Sequence, residues 1–135
     1  MIKKIGHLGF ATRSIGVSME FFKNALGLEL DGMETVDDQK VKVAMLKVGD
    51  THIELIEPTA EDSPVGRFLQ KHGEGFHHIT FEVDDLDAEM ERLKELNVKL
   101  INGKPRAGAH GRRIVFIHPD STGGILIELT EMEKK

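Results

Sequence analysis

Two histidines and two glutamates recur at matching places in the two halves of this 135-residue chain: His7 and Glu54, then His78 and Glu128. The run His7-Leu8-Gly9-Phe10 returns as His78-Ile79-Thr80-Phe81, and Ile53-Glu54-Leu55 returns as Ile127-Glu128-Leu129. Each half therefore spaces a histidine and a glutamate almost identically, 47 residues apart in one and 50 in the other. Two neutral imidazoles and two carboxylates would balance a divalent cation and leave coordination positions open for substrate oxygens or water, which is what Lewis-acid catalysis requires. A carboxylate in a run as apolar as Ile125–Leu129 is costly to bury without a partner, and a cation is a suitable one. A lone strand histidine is more often a hydrogen-bonded core or surface residue than a ligand. The repetition favours ligation here, with an inherited but inactive scaffold as the alternative.

Composition narrows the chemistry further. The chain has no cysteine, so disulfides, thiolate chemistry and sulfur-ligated zinc are excluded and any metal site must be built from nitrogen and oxygen. The net charge of −5 and the absence of Trp and Tyr argue against nucleic acid as the main partner. No apolar run reaches the length of a membrane span, and Met1-Ile2-Lys3-Lys4-Ile5 leads straight into an alternating pattern without a signal-peptide core. The expectation is a single cytoplasmic domain over 1–135.

The elements that must hold the four residues follow from periodicity. After the first histidine strand, Met19, Phe22 and Leu26 recur at helical steps over Ser18–Leu26; after the second, Leu86, Met90, Leu93 and Leu96 do so over Asp85–Leu96. Ser14 and Asp85 are suited to N-caps, and Gly27 and Asn97 fall where a left-handed terminating residue is wanted. Strand-like runs follow each helix: Leu28–Leu30, Val41–Val48 and His52–Ile56, then Val98–Ile101, Arg113–Ile117 and Ile125–Leu129. The fold class is thus α+β, two tandem βαβββ modules at about 4–58 and 75–132, with a linker and short helix, Val65–Lys71, across 59–74. Strand alternation puts His7 on a face with Ile5 and Gly9, and His78 on one with Phe76 and Thr80, so His77 points away from the proposed ligands. Phe10, Phe21, Phe22 and Phe81 are expected in the core, and the mixed charges of Glu89–Glu95 on a solvated helix face.

The segments Gly49-Asp50-Thr51, Glu61-Asp62-Ser63-Pro64, Gly73-Glu74-Gly75-Phe76-His77-His78, Val83-Asp84-Asp85 and His118-Pro119-Asp120-Ser121-Thr122-Gly123-Gly124, with His7-Leu8-Gly9, span nearly the whole chain. In them the sequence resembles the vicinal oxygen chelate superfamily and, within it, the family of methylmalonyl-CoA epimerases. The resemblance implies paired modules forming a sheet cup, metal ligands at His7, Glu54, His78 and Glu128, and a homodimer. It implies Co2+ as the favoured ion, with Mn2+, Ni2+, Zn2+ or Mg2+ as alternatives. The implied reaction epimerises C2 of methylmalonyl-CoA, an acyl-CoA ester of propionyl-CoA metabolism, by removing and returning the C2 proton. One base falls at Glu128. The other family glutamate falls where this chain has Val43, so Glu54, the repeat partner of Glu128, is expected as the second catalytic carboxylate, with His52 a weaker candidate.

Two further segments bear on ligands. Arg106–Arg113 is a basic, glycine-containing loop suited to CoA phosphates or to an ordinary solvated turn, and Asp120–Gly124 lacks the spacing and lysine of a nucleotide loop and reads as a hairpin turn. A glyoxalase acting on a thiol hemithioacetal would use the same donor set. A metal-free drug-binding module of the superfamily would need none of it.

Overall fold

A computed structural model describes residues 1–133. It is a mixed α+β structure with an eight-stranded sheet, and no helix among the described residues is long and apolar enough to cross a membrane. The chain divides into two compact units, His7–His77 and Met1–Gly6 with His78 onward, so the first strand begins in one unit and ends in the other. Each unit repeats the same order of strand, helix and three strands.

In the unit His7–His77, strand β1 (Ile2–Ala11) is followed by helix α1 (Ile15–Met19) and strands β2 (Glu29–Val36), β3 (Val41–Val48) and β4 (Thr51–Pro58), in the sheet order β2-β3-β4-β1. The β1–β4 pair is parallel and the other two are antiparallel. One face of this sheet is apolar: Ala44, Leu46 and Leu55 are buried with Ile15, and Phe10, Met19, Phe22, Leu28 and Leu30 pack around them. Helix α2 (Pro64–His72) closes the unit. The Ser63 hydroxyl caps it, accepting from the Gly66 N–H at 3.1 Å and donating to the Ala60 carbonyl at 2.6 Å.

In the other unit, β5 (Gly75–Val83) leads through helix α3 (Leu86–Glu95) to β6 (Leu100–Ala107), β7 (Arg113–Ile117) and β8 (Ile127–Glu131), in the order β5-β8-β7-β6. The β5–β8 pair is again the parallel one. Val83, Leu86, Met90, Val115, Ile117 and Leu129 form its core, with Phe81 and Leu93 packed against it. Asp85 caps α3 by accepting from the Ala88 N–H at 3.1 Å, and Asn97 ends it in the left-handed region at φ 61°.

Several details differ from the periodicity reading. The first helix starts at its Ser14 cap rather than at Ser18, and widens into π-type turns over Glu20–Ala25, closed by the Leu26 N–H bonding the Phe21 carbonyl at 2.9 Å. That widening turns Phe21 and Leu26 outward, so Phe21 is 56% exposed and does not belong to the core. Glu89 is buried instead of solvated, held by Arg92 at 3.0 Å. β2 and β6 each run well past the apolar runs that announced them. Asp31-Gly32 and Asn102-Gly103 look like turns in sequence, yet register shifts at Leu30/Gly32 and Ile101/Arg106 let the pairing resume beyond them.

Candidate metal centre and active site

His7 and His78 are the residues at which the chain passes between the two units, and both are buried, at 7% and 3% exposure. Glu54 and Glu128 are equally withdrawn, at 5% and 7%. Four ionisable side chains at that depth require partners. Within its unit, His7 Nε2 lies 3.4 Å from Glu54 Oε1. Within the other, the Thr80 hydroxyl donates to Glu128 Oε1 at 3.1 Å, and the Phe116 ring meets the His78 ring edge-on, with centroids 6.5 Å apart.

Strand register explains these pairings. Glu54 lies opposite Gly9 on β1 and Met45 on β3, while Glu128 lies opposite Thr80 on β5 and Phe116 on β7. The repeat is therefore not exact. At the equivalent of Thr80 the first half has Gly9, which has no hydroxyl to orient a carboxylate, so Glu128 is tethered by a neighbour that Glu54 lacks. Strand alternation had placed Thr80 on the face of His78, but its hydrogen bond to Glu128 depends on which residue of β8 lies opposite it.

His7, Glu54 and His78 each offer one ligand atom, and the three atoms lie within 4.8 Å of one another. Two imidazoles and a carboxylate, all buried, are a donor set suited to a first-row divalent ion with positions left for further oxygens. His77, whose side chain has the opposite strand parity, packs edge-on against Phe68 with centroids 4.8 Å apart. Burial pushes its pKa down to about 4 against the opposing pull of the Glu54 charge, so it is neutral at pH 7.

The other candidates resolve individually. His52 Nε2 is 2.7 Å from Asp31 Oδ2. Val43 is 3% exposed and lies between Glu34 on β2 and Ile56 on β4, so an aliphatic side chain fills the position where the resemblance expects a carboxylate. In the basic loop, Arg112 is committed to Glu82 at 3.1 Å, and Arg113 to Asp87 at 2.7 Å and Glu131 at 3.1 Å. Those two guanidinium groups brace their own unit. Residues 119–121 form a single tight turn in which the His118 ring accepts from the Asp120 N–H at 3.0 Å, in keeping with a hairpin connection.

Residues 6–116 match the model of the glyoxalase/bleomycin resistance protein/dioxygenase superfamily. The chain belongs to this superfamily. Among superfamily members, an uncharacterized protein YqjC of Bacillus subtilis is 44% identical over 96% of this chain and 93% of its own length. An ethylmalonyl-CoA/methylmalonyl-CoA epimerase of Cereibacter sphaeroides is 35% identical over 98% of this chain and its whole length. A methylmalonyl-CoA epimerase solved in complex with methylmalonyl-CoA and NH4+ superposes with a TM-score of 0.94 at 37% identity, over 97% of this chain and 95% of that one. Within the superfamily the chain therefore falls in the methylmalonyl-CoA epimerase family.

Proposed function

We propose that the chain is a metal-dependent epimerase that inverts C2 of methylmalonyl-CoA. The observation that carries this reading is the near full-length similarity to an epimerase solved with methylmalonyl-CoA bound. The buried His7, Glu54 and His78 group supports it, because these donors fit a divalent ion. Glu128 completes the proposed ligand set, with Co2+ favoured and Mn2+, Ni2+, Zn2+ or Mg2+ as alternatives. Bound there, the ion would supply positive charge to the thioester and carboxylate oxygens as negative charge develops.

The chain's own residues handle the proton. Glu128, oriented by Thr80, accepts the C2 proton: the C–H bond breaks, an O–H bond forms on the carboxylate, and the electron pair moves into the thioester as an enolate. A proton delivered to the opposite face of C2 completes inversion, and Glu54, the counterpart of Glu128 in the repeat, is the proposed donor. In the reverse direction the two carboxylates exchange roles. The enzyme is proposed to act as a cytoplasmic homodimer.

One methylmalonyl-CoA epimer incubated with metal-loaded protein in D2O tests this directly. The expected result is C2 deuteration together with appearance of the other epimer, abolished by chelation and restored by Co2+. Neither signal under any of the five metals would reject the epimerase. The same donor set suits a glyoxalase-type isomerisation, so a thiol hemithioacetal is the substrate to assay in parallel.

A further inference from the structure

The edge strand of the unit that holds Glu128 carries an arginine on a face where its own alternation would not put it. Leu100 of β6 packs against the core shared with α3, so uninterrupted alternation would turn Asn102, Lys104 and Arg106 to that core side. The pairing is interrupted. Ile101 pairs with Phe116 and Arg106 with Ile114, so residues 102–105 lie against the single residue Val115. The surplus is odd, and an odd insertion reverses the face of everything after it. Asn102 and Gly103 make the excursion in the left-handed region, at φ 66° and 61°. Beyond it, Ile114 pairs with Thr130 and Thr130 with Glu82, while Phe116 pairs with Glu128 and Glu128 with Thr80. Directly opposed residues share a face, so Arg106 lies half-buried on the face of Glu128.

The segment after Arg106 folds over the same face. A Cβ added at Gly108 would come within 2.8 Å of the Ile114 side chain, and the Gly108 N–H bonds the Arg112 carbonyl at 2.9 Å. Arg112 reaches Glu82 on that face at 3.1 Å, and Lys4 lies 3.5 Å from the same carboxylate. Glu82 is 8% exposed and shares its row with Thr130, Ile114 and Arg106. The carboxylate of the row is thus matched by Arg112 and Lys4, and Arg106 adds positive charge to it. Arg113 faces the other way, bound to Asp87 of α3 at 2.7 Å.

From Arg106 to Glu128 is two strand spacings across and two residues along, roughly 12 Å between Cα atoms. At that separation the guanidinium meets groups well beyond a carbon that reacts beside Glu128. An acyl-CoA is elongated in the required way, with a short acyl end joined through an uncharged pantetheine arm to a diphosphate and a 3′-phosphate. A planar guanidinium pairs with phosphate oxygens through two parallel N–H···O bonds. We propose that Arg106 is a specificity-determining residue that binds a phosphate of the coenzyme A moiety while the acyl end lies toward Glu128. It takes no part in the proton transfer. This inference rests on the epimerase reading and adds to it which cation of the basic loop recognises the carrier.

The test measures epimerisation of two substrates by metal-loaded wild type, Arg106→Gln and Arg106→Lys. One substrate is methylmalonyl-CoA; the other is methylmalonyl-pantetheine, which keeps the acyl end and thioester but has no phosphate. For Arg106→Gln with methylmalonyl-CoA the expected result is a wild-type kcat with KM raised by about 10-fold or more, the loss of one charge-assisted pair. Arg106→Lys, which keeps the charge without the planar fork, should fall between the two. With methylmalonyl-pantetheine all three proteins should have the same kcat/KM, which also shows that the variants are folded. An unchanged KM of Arg106→Gln for methylmalonyl-CoA overturns the proposal, as does a loss of kcat/KM that is equal for both substrates. In either case an active wild type leaves the epimerase reading standing, whereas a wild type inactive on both substrates overturns both.

Discussion

At the scale of the residue, the two glutamates of the repeat are not equivalent. Glu128 receives a hydrogen bond from Thr80, whereas Gly9 faces Glu54 and offers none. Thr80→Val should therefore leave metal content intact but loosen the Glu128 carboxylate, costing about 10-fold in kcat with little change in KM, as steady-state kinetics on one epimer would show. Replacing Glu128 by Gln should lower kcat by about 100-fold or more, since a general base contributes at least that much. For Glu54→Gln, retained metal binding with loss of inversion is the expected outcome, and full inversion with metal bound would remove Glu54 from the proton chemistry. His7 and Glu54 were identified from residue type and repetition. Thr80 was placed on the face of His78 by alternation alone, and its hydroxyl gains its partner only from Glu128 lying opposite it.

At the scale of the element, the connection into α2 carries the tightest packing. A Cβ added at Gly66 would sit 2.4 Å from the Glu61 carbonyl oxygen, which is backbone and cannot swing aside. Gly66→Ala should therefore destabilise by about 2 kcal/mol in urea unfolding, an overpacking cost. The loop before α1 is held through Glu74, whose carboxylate accepts from the Arg13 backbone N–H at 2.9 Å and the Thr12 hydroxyl at 3.0 Å. Those bonds favour the charged form and keep its pKa below the usual carboxylate value of 4.5. A lowered folded-state pKa gives stability that is complete above pH 4.5 and is lost as pH falls through the folded value. Glu74→Gln should flatten that acid limb of a thermal melt series, by less than about 1 kcal/mol because the side chain is half in solvent.

At the scale of the whole molecule, an ion held by the proposed ligands should stabilise the folded chain over the unfolded one. A divalent ion at about 100 times its dissociation constant contributes about 2.7 kcal/mol if the unfolded chain does not bind it. The midpoint of thermal unfolding should rise on adding Co2+ to chelator-treated protein, and His78→Ala should remove most of that rise. An unchanged midpoint in wild type, with no ion retained after dialysis, would count against the metal centre.

The duplication, the two helices with their caps at Ser14 and Asp85, the metal-ligand candidates and the family were legible in the linear sequence, because each rests on local spacing and on residue types that recur. A cap needs only a side chain and an N–H three residues ahead, and a repeat needs only comparison. Tertiary structure alone decided which side chains oppose one another. It set the π-type widening that exposes Phe21, the burial of Glu89, and the continuation of β2 past Asp31-Gly32. The strongest example is Glu34: alternation assigns it to the core, and a single extra residue in β2 turns it to the face of Glu54. Strand register depends on pairing with a neighbouring strand, and a period of two makes every one-residue shift a reversal of face, so no local pattern within β2 could have revealed it.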